Sequence, residues 1–304
     1  MPEGALAAPG AAHALRPRGI GEILDFSFRV YRRRFRSNAV VGASLGLALA
    51  ALGLLLQWSV FGSLMSPTRD TGLPGALVLI GFTLTLYVLM LAGYVFFFQY
   101  ICLTVEDEMF GRATPVREML GRSARRVLPG IWTSFLLALC IFGGLVLLVI
   151  PGVFAMIAFC LASAVVMLEN RSGPDALSRS GELIFRRGPG GLDLTANWFR
   201  AFAIGLLMAI LNYVFVIVVS LPTIIVMAVT VAQGREPGIT AFGPQFLPSH
   251  VLVPLTLLQQ TVYGVFLSIP MIPWTILYYD IRTRDEGLDL MLAAEDLSRA
   301  PAAP

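Results

Sequence analysis

Apolar residues run along this chain in six long blocks, at 38–65, 75–103, 130–150, 152–168, 197–230 and 250–279, with charge almost confined to the stretches between them. Crossing a bilayer takes roughly 17–25 apolar residues in a helix, and each block meets or exceeds that length. The pattern therefore predicts an all-α integral membrane protein whose six transmembrane helices form three hairpins. Between the third and fourth blocks there is only Val149-Ile150-Pro151-Gly152-Val153, which predicts a tight turn at Pro151–Gly152, at the membrane surface. Pro222 in the fifth block and Pro254, Pro270 and Pro273 in the sixth predict kinks.

The stretch ahead of each hairpin changes period. Residues 22–27 read Glu-Ile-Leu-Asp-Phe-Ser, 118–123 Glu-Met-Leu-Gly-Arg-Ser and 175–180 Asp-Ala-Leu-Ser-Arg-Ser. The shared pattern is acid-x-Leu-x-x-Ser, followed in turn by Arg32–Arg33, Arg125–Arg126 and Arg186–Arg187. At 3.6 residues per turn, Ile20, Leu24, Phe28, Tyr31 and Phe35 share one face, opposite Glu22, Asp25, Arg29, Arg32 and Arg36. In the second copy Val116, Leu120, Ser123 and Val127 oppose arginines, and in the third Leu177, Gly181 and Ile184 do. An apolar stripe backed by arginine beside a membrane block predicts an interfacial helix. Its arginines can reach anionic lipid headgroups, at about 1 kcal/mol each near the surface. A nucleic-acid arm needs no aromatic stripe, and a presequence is poor in acid, unlike a segment with Glu22 and Asp25.

Composition supports lipid as the solvent. The chain has 304 residues, 57% hydrophobic and 13% charged, where a soluble domain carries roughly a quarter charged. All 22 basic residues are arginine, and twenty fall on one side of the predicted membrane, leaving Arg69 and Arg235 on the other. The positive-inside rule then places both termini in the cytoplasm. Cys102, Cys140 and Cys160 all sit in apolar blocks, and the two histidines are His13 and His250. This pattern points to no disulfide framework, metal site or cofactor. Residues 1–18 and 298–304, rich in Ala and Pro, are expected to be disordered tails around a membrane domain at 19–297.

Three stretches, "GEILDFSFRVYRRRF" near the start, "VIPGVFAMIAFCLASAVVMLENRSGPDALSRSGELIFRRG" at 149–188 and "LYYDIRTRDEGLDLMLAAEDL" at 277–297, resemble the membrane domain of the bacterial glycerophosphoryl diester phosphodiesterase family and its standalone relatives. The resemblance implies a six-helix fold in a bacterial inner membrane. It does not extend to phosphodiesterase activity, because neither histidine lies in an acidic motif and no stretch between two blocks reaches thirty residues.

No ionisable residue occupies the middle of a block, which argues against a proton-coupled carrier. Two sets of polar residues remain. Gln57, Gln99, Asn212, Gln259 and Gln260 are embedded, and interhelical hydrogen bonding is their expected role. Glu106, Asp107, Glu108, Glu169 and Asp280 end the even-numbered blocks, where a carboxylate opposes the helix dipole. Compensation is expected from Arg33, Arg125, Arg126, Arg186 and Arg187, forming a belt of ion pairs. Tyr278 and Tyr279 read as interfacial anchors. The function expected is a non-enzymatic membrane protein, a lipid-interacting scaffold or accessory subunit with anionic lipids as partners. A carrier using the kinked fifth and sixth helices is the alternative.

Overall fold

The computed structural model describes residues 17–64, 73–186, 197–232, 249–288, 290, 291 and 294. Among them the regular elements are helices: α1 (Ile20–Arg33), α2 (Phe35–Leu64), α3 (Leu73–Phe110), α4 (Val116–Leu147), α5 (Val149–Ala158), α6 (Ala162–Leu168), α7 (Pro174–Phe185), α8 (Asn197–Ala232), α9 (Ser249–Phe266) and α10 (Ser268–Glu286). Six stretches, at Phe35–Ser59, Gly75–Phe110, Val116–Leu147, Val149–Leu168, Asn197–Val229 and Val251–Glu286, are long and apolar enough to cross a membrane. Their outward-facing side chains are apolar as well, among them Trp58, Val78, Tyr87, Phe142, Tyr213 and Ile225. Water would leave such surfaces unstable, whereas hydrocarbon solvates them. The chain is an all-α, multi-pass membrane protein. The tails expected at 1–18 and 298–304 lie outside the described residues except for positions 17 and 18, as does Arg187.

Local chemistry moves several boundaries from where periodicity put them. The second arginine-rich segment is not a separate helix, because α4 runs unbroken from Val116 to Leu147 with Pro129 inside it. The close crossing of α3 and α4 supports that continuity: a Cβ on Gly130 would fall against the side chains of Val95 and Gln99. The turn expected at Pro151–Gly152 lies earlier, at Leu148, a single extended residue between α4 and α5. Pro151 instead occupies the first turn of α5, where a missing N–H removes no intrahelical bond. The fourth block breaks between Ala158 and Ala162, and the sixth breaks at Leu267 into α9 and α10.

Contacts divide the chain into two compact units, one of residues 1–35, 95–210 and 268–304, the other of 36–94 and 211–267. In the first, Phe97, Tyr100 and Ile101 of α3, Val165 of α6, and Met271 and Ile276 of α10 are buried in the core. Helix α1 packs on α10, and α7 packs on α4, α5 and α6. The buried face of α1 is Ile23, Ser27, Val30 and Tyr31, whereas Phe28, and Phe35 at the start of α2, are exposed. The helix is thus rotated from the single stripe expected, because it carries two apolar faces, one toward protein and one outward. The serine of each acid-x-Leu-x-x-Ser segment, Ser27, Ser123 and Ser180, is buried, and so is the residue after each acid, Ile23, Met119 and Ala176.

In the second unit, α2 and α9 approach through glycine. A Cβ on Gly46 would strike the backbone of Gln260, and one on Gly264 would strike the backbone of Gly42. Gly42 and Gly46 form a small-xxx-small ridge, the kind that brings membrane helices together by van der Waals contact. Polar pairs link α8 to α9 within the same unit. The Gln259 amide donates to Ser220 Oγ at 2.9 Å and accepts from Thr223 Oγ1 at 2.9 Å. The Tyr263 hydroxyl donates to Asn212 Oδ1 at 3.3 Å.

Candidate functional site: the polar cluster of the first unit

The acids that close the apolar blocks all belong to the first unit, and each meets a donor there. At the end of α3 the chain reads Glu106-Asp107-Glu108, followed by Gly111 with positive φ, which turns the backbone so that Arg112 and Thr114 face back. Arg112 Nη1 lies 3.2 Å from Glu106 Oε1. Asp107 accepts from the Thr114 N–H at 2.8 Å and from the Thr114 hydroxyl at 2.9 Å. Glu108 takes Arg34 Nε at 2.7 Å and Arg33 Nη1 at 3.5 Å. Arg34 is the single residue between α1 and α2, so this pair ties the C-terminal end of α1 to the end of α3.

Glu169 caps the C-terminus of α6. It accepts from Arg179 Nε of α7 at 3.1 Å and from the Tyr278 hydroxyl of α10 at 2.9 Å, and Arg171 Nε lies at 3.3 Å. Arg179 also pairs with Glu286, the last residue of α10, which takes Arg282 Nε at 2.8 Å and Arg186 Nη1 at 3.5 Å. One arginine on a short surface helix thereby bridges the ends of α6 and α10. Burial pulls the Arg179 guanidinium down, but hydrogen bonds to Glu286 and Glu169 outweigh it and hold the group above its ordinary value. Asp280 takes Arg200 Nη2 of α8 at 2.6 Å, Arg284 Nε at 3.0 Å and the backbone N–H of Arg18. Both arginines return to the Arg18 carbonyl at 2.8 Å, which ties the segment entering α1 to α8 and α10. Asn197, at the start of α8, bonds the Leu183 carbonyl at 3.1 Å and Asp285 at 2.7 Å.

The structure places the sequence-derived candidates unevenly. Arg33 reaches an acid of α3, and Arg186 reaches Glu286 rather than any acid singled out beforehand. Arg125 and Arg126 join no ion pair among the described residues; the Arg126 carbonyl instead accepts from Gln99 Nε2 at 2.9 Å. Asp280 does not end its helix, because α10 continues to Glu286, so the dipole argument does not apply to it. Its partners are Arg200 and Arg284, not an arginine of the segments ahead of the hairpins. Tyr278 and Tyr279 are buried rather than interfacial. Glu286, Arg200 and Asn197 escaped the sequence reading. The spacings Asp280–Arg284 and Arg282–Glu286, each one helical turn, carried a signal for part of this cluster.

The five embedded amides do not form one group. Gln99 belongs to the first unit, and Gln57, Asn212, Gln259 and Gln260 belong to the second. Among the described residues no three His, Cys, Asp or Glu side chains are placed to hold a metal ion, and all three cysteines are free. What the cluster does chemically is clamp. Carboxylates of α3, α6 and α10 are matched by arginines of α1, α7, α8 and the adjoining turns, largely out of water, where geometry decides whether pairing offsets desolvation. Comparison with family models, with curated proteins and with solved structures finds no match to this chain.

Proposed function

We propose that this chain is a non-enzymatic, lipid-interacting scaffold or accessory subunit of a bacterial inner membrane, with both termini in the cytoplasm and anionic lipids as its immediate partners. The reading agrees with the resemblance to the membrane domains of the glycerophosphoryl diester phosphodiesterase family. One observation carries it. Helix α1 is held to the body of the first unit by Ile23, Val30 and Tyr31, yet it leaves Phe28, Arg29 and Arg32 exposed, and Phe35 just beyond its end is exposed as well. Aromatic and guanidinium groups interleaved on a free helix surface suit the boundary between acyl chains and phosphate headgroups. Among the described residues the acids at the end of α3 pair with Arg33, Arg34 and Arg112 rather than with Arg29 or Arg32, so this face, with Glu22 and Asp25 at its start, remains basic toward its C-terminal end.

Native mass spectrometry of the protein released from nanodiscs of mixed phosphatidylglycerol and phosphatidylcholine tests the proposal. Retained lipid should be enriched in the anionic species, and Arg29→Gln with Arg32→Gln should reduce that enrichment several-fold. Equal retention of both lipids would sink the reading.

A carrier is the second reading, and the break of the sixth block at Leu267, ahead of Pro270, favours it. Discontinuous helices commonly line substrate sites in transporters. Solute uptake into proteoliposomes that is lost when Asn212 is replaced by Leu would support the carrier over the scaffold.

A further inference from the structure

The second hairpin, α4 with α5 and α6, has arms of a length that can cross a membrane. Contacts along those arms mark where the membrane begins. On α4, Thr133 Oγ1 accepts from the backbone N–H of Gly173 at 2.8 Å, in the turn that leads into α7. On the returning arm, the Ser180 hydroxyl of α7 donates to the Ala158 carbonyl at 2.9 Å and accepts from the Leu161 N–H at 3.2 Å. Helix α7 carries Asp175, Arg179 and Glu182 and opens on exposed Arg171 and Ser172, so it belongs at headgroup level or outside it.

Beyond that level little chain is left. On α4, residues 134–147 rise roughly 21 Å, and on α5, residues 149–157 rise roughly 14 Å, at about 1.5 Å per residue. The hydrocarbon core is about 30 Å thick. The tip of the hairpin therefore falls short of the far surface.

The chemistry of the tip agrees with the distance. Residues 145–150 read Leu-Val-Leu-Leu-Val-Ile, and Leu147 and Ile150 are 79% and 80% exposed. By sequence, the stretches that join the first two blocks and the last two carry Ser66-Pro67-Thr68-Arg69-Asp70-Thr71 and Arg235-Glu236, residues suited to water. The backbone turn at the tip is short. One extended residue makes the turn, the Leu148 N–H bonds the Gly144 carbonyl at 3.0 Å, and Pro151 has no N–H to leave unpaired. Gly144 and Gly152 let the arms touch, since a Cβ on Gly144 would lie 2.8 Å from Gly152 N. Exposed apolar side chains also line the arms, Leu139 and Phe142 on α4 and Val153 on α5, which makes the cover at the tip the same acyl chains that cover the arms, while Phe154 stacks on Phe185 of α7.

We propose that this hairpin is re-entrant: it enters from the arginine-rich side, turns among the acyl chains near the middle of the bilayer, and leaves on the side it entered. The inference needs only residence in a membrane, so it stands apart from the lipid-scaffold reading.

The test uses the full chain with Cys102, Cys140 and Cys160 replaced by alanine and one cysteine introduced at Leu148, Ser66 or Ser178. In sealed right-side-out and inverted vesicles, a membrane-impermeant maleimide should label Ser66→Cys from one side and Ser178→Cys from the other. Leu148→Cys should label from neither until SDS is added. A fluorophore on Leu148→Cys should be quenched more strongly by lipids with a mid-chain spin label than by headgroup-labelled lipids. Labelling of Leu148→Cys at the rate of Ser66→Cys, or stronger quenching from the headgroup level, overturns the proposal. So does efficient disulfide crosslinking through Leu148→Cys, which would put a second copy of the chain where acyl chains are assigned.

Discussion

A single glycine shows how closely the first unit is fitted. Gly173 has φ +60 and ψ −134, a region open essentially to glycine alone, and a Cβ there would lie 2.7 Å from the Trp132 ring nitrogen. Gly173→Ala should lower stability by about 2 kcal/mol or more, seen as earlier thermal unfolding in detergent, while Gly121→Ala, in open space on α4, should not. Glu169 makes the matching case for charge. Its carboxylate receives two arginines and a tyrosine, while Glu182, one helix away, is 64% exposed at its side chain. Removing one partner of a shielded pair costs more than removing an exposed one, so Glu169→Gln should destabilise by roughly 1–3 kcal/mol and Glu182→Gln by less than about 0.5 kcal/mol. Equal unfolding temperatures for the two variants would show that Glu169 is no clamp. That acids would close the apolar blocks was legible from residue order. Which arginine meets which acid was not, since Arg179 reaches both Glu169 and Glu286 only because α6, α7 and α10 converge.

At the scale of the element, length was legible and rotation was not. Bilayer thickness sets how many apolar residues a span requires, so the blocks stood out without any knowledge of packing. Helix α1 has apolar residues on more than one face, and periodicity alone put Leu24, Phe28 and Tyr31 on one stripe. Packing against α10 selected Ile23, Val30 and Tyr31 for burial and left Phe28 outward. Replacing Phe28 by Ser should therefore loosen the outer face of α1 from the lipid with little loss of fold stability, and replacing Ile23 by Ser should do the reverse. Quenching of a fluorophore attached at position 25 by headgroup spin-labelled lipids, read together with thermal unfolding of the two variants, checks this. The approach of α2 to α9 is a second element-scale feature. Gly46→Leu forces side-chain volume against the Gln260 backbone, which cannot retreat like a flexible side chain. A cost of about 1–3 kcal/mol is expected for such overpacking, with Gly53→Leu, in open space on the same helix, as the neutral control.

For the whole molecule, orientation rests on charge. With twenty arginines on one side and two on the other, cysteines at Ala124 and Ser178, both at exposed positions, should label only from the cytoplasmic side. Cysteines at Ser66 and Gly238, outside the described residues, should label only from the opposite side, and an inverted pattern would reverse the orientation. Ser123 is unsuitable as a reporter despite its place beside arginines, because it is fully buried. The sequence by itself determined the helical class, the number of apolar blocks, the asymmetry of charge and the presence of acids at block ends. Each of these is a property of composition along a line, set against a solvent whose thickness is known. Only the tertiary structure decided the rotation of α1, the continuity of α4 through Pro129, the break at Leu267 and the network joining Glu169, Arg179, Glu286 and Tyr278. The physical reason is that those features depend on pairs of residues far apart in the chain, 109 positions for Glu169 and Tyr278 and 262 for Arg18 and Asp280. Local periodicity carries no record of which distant faces will meet.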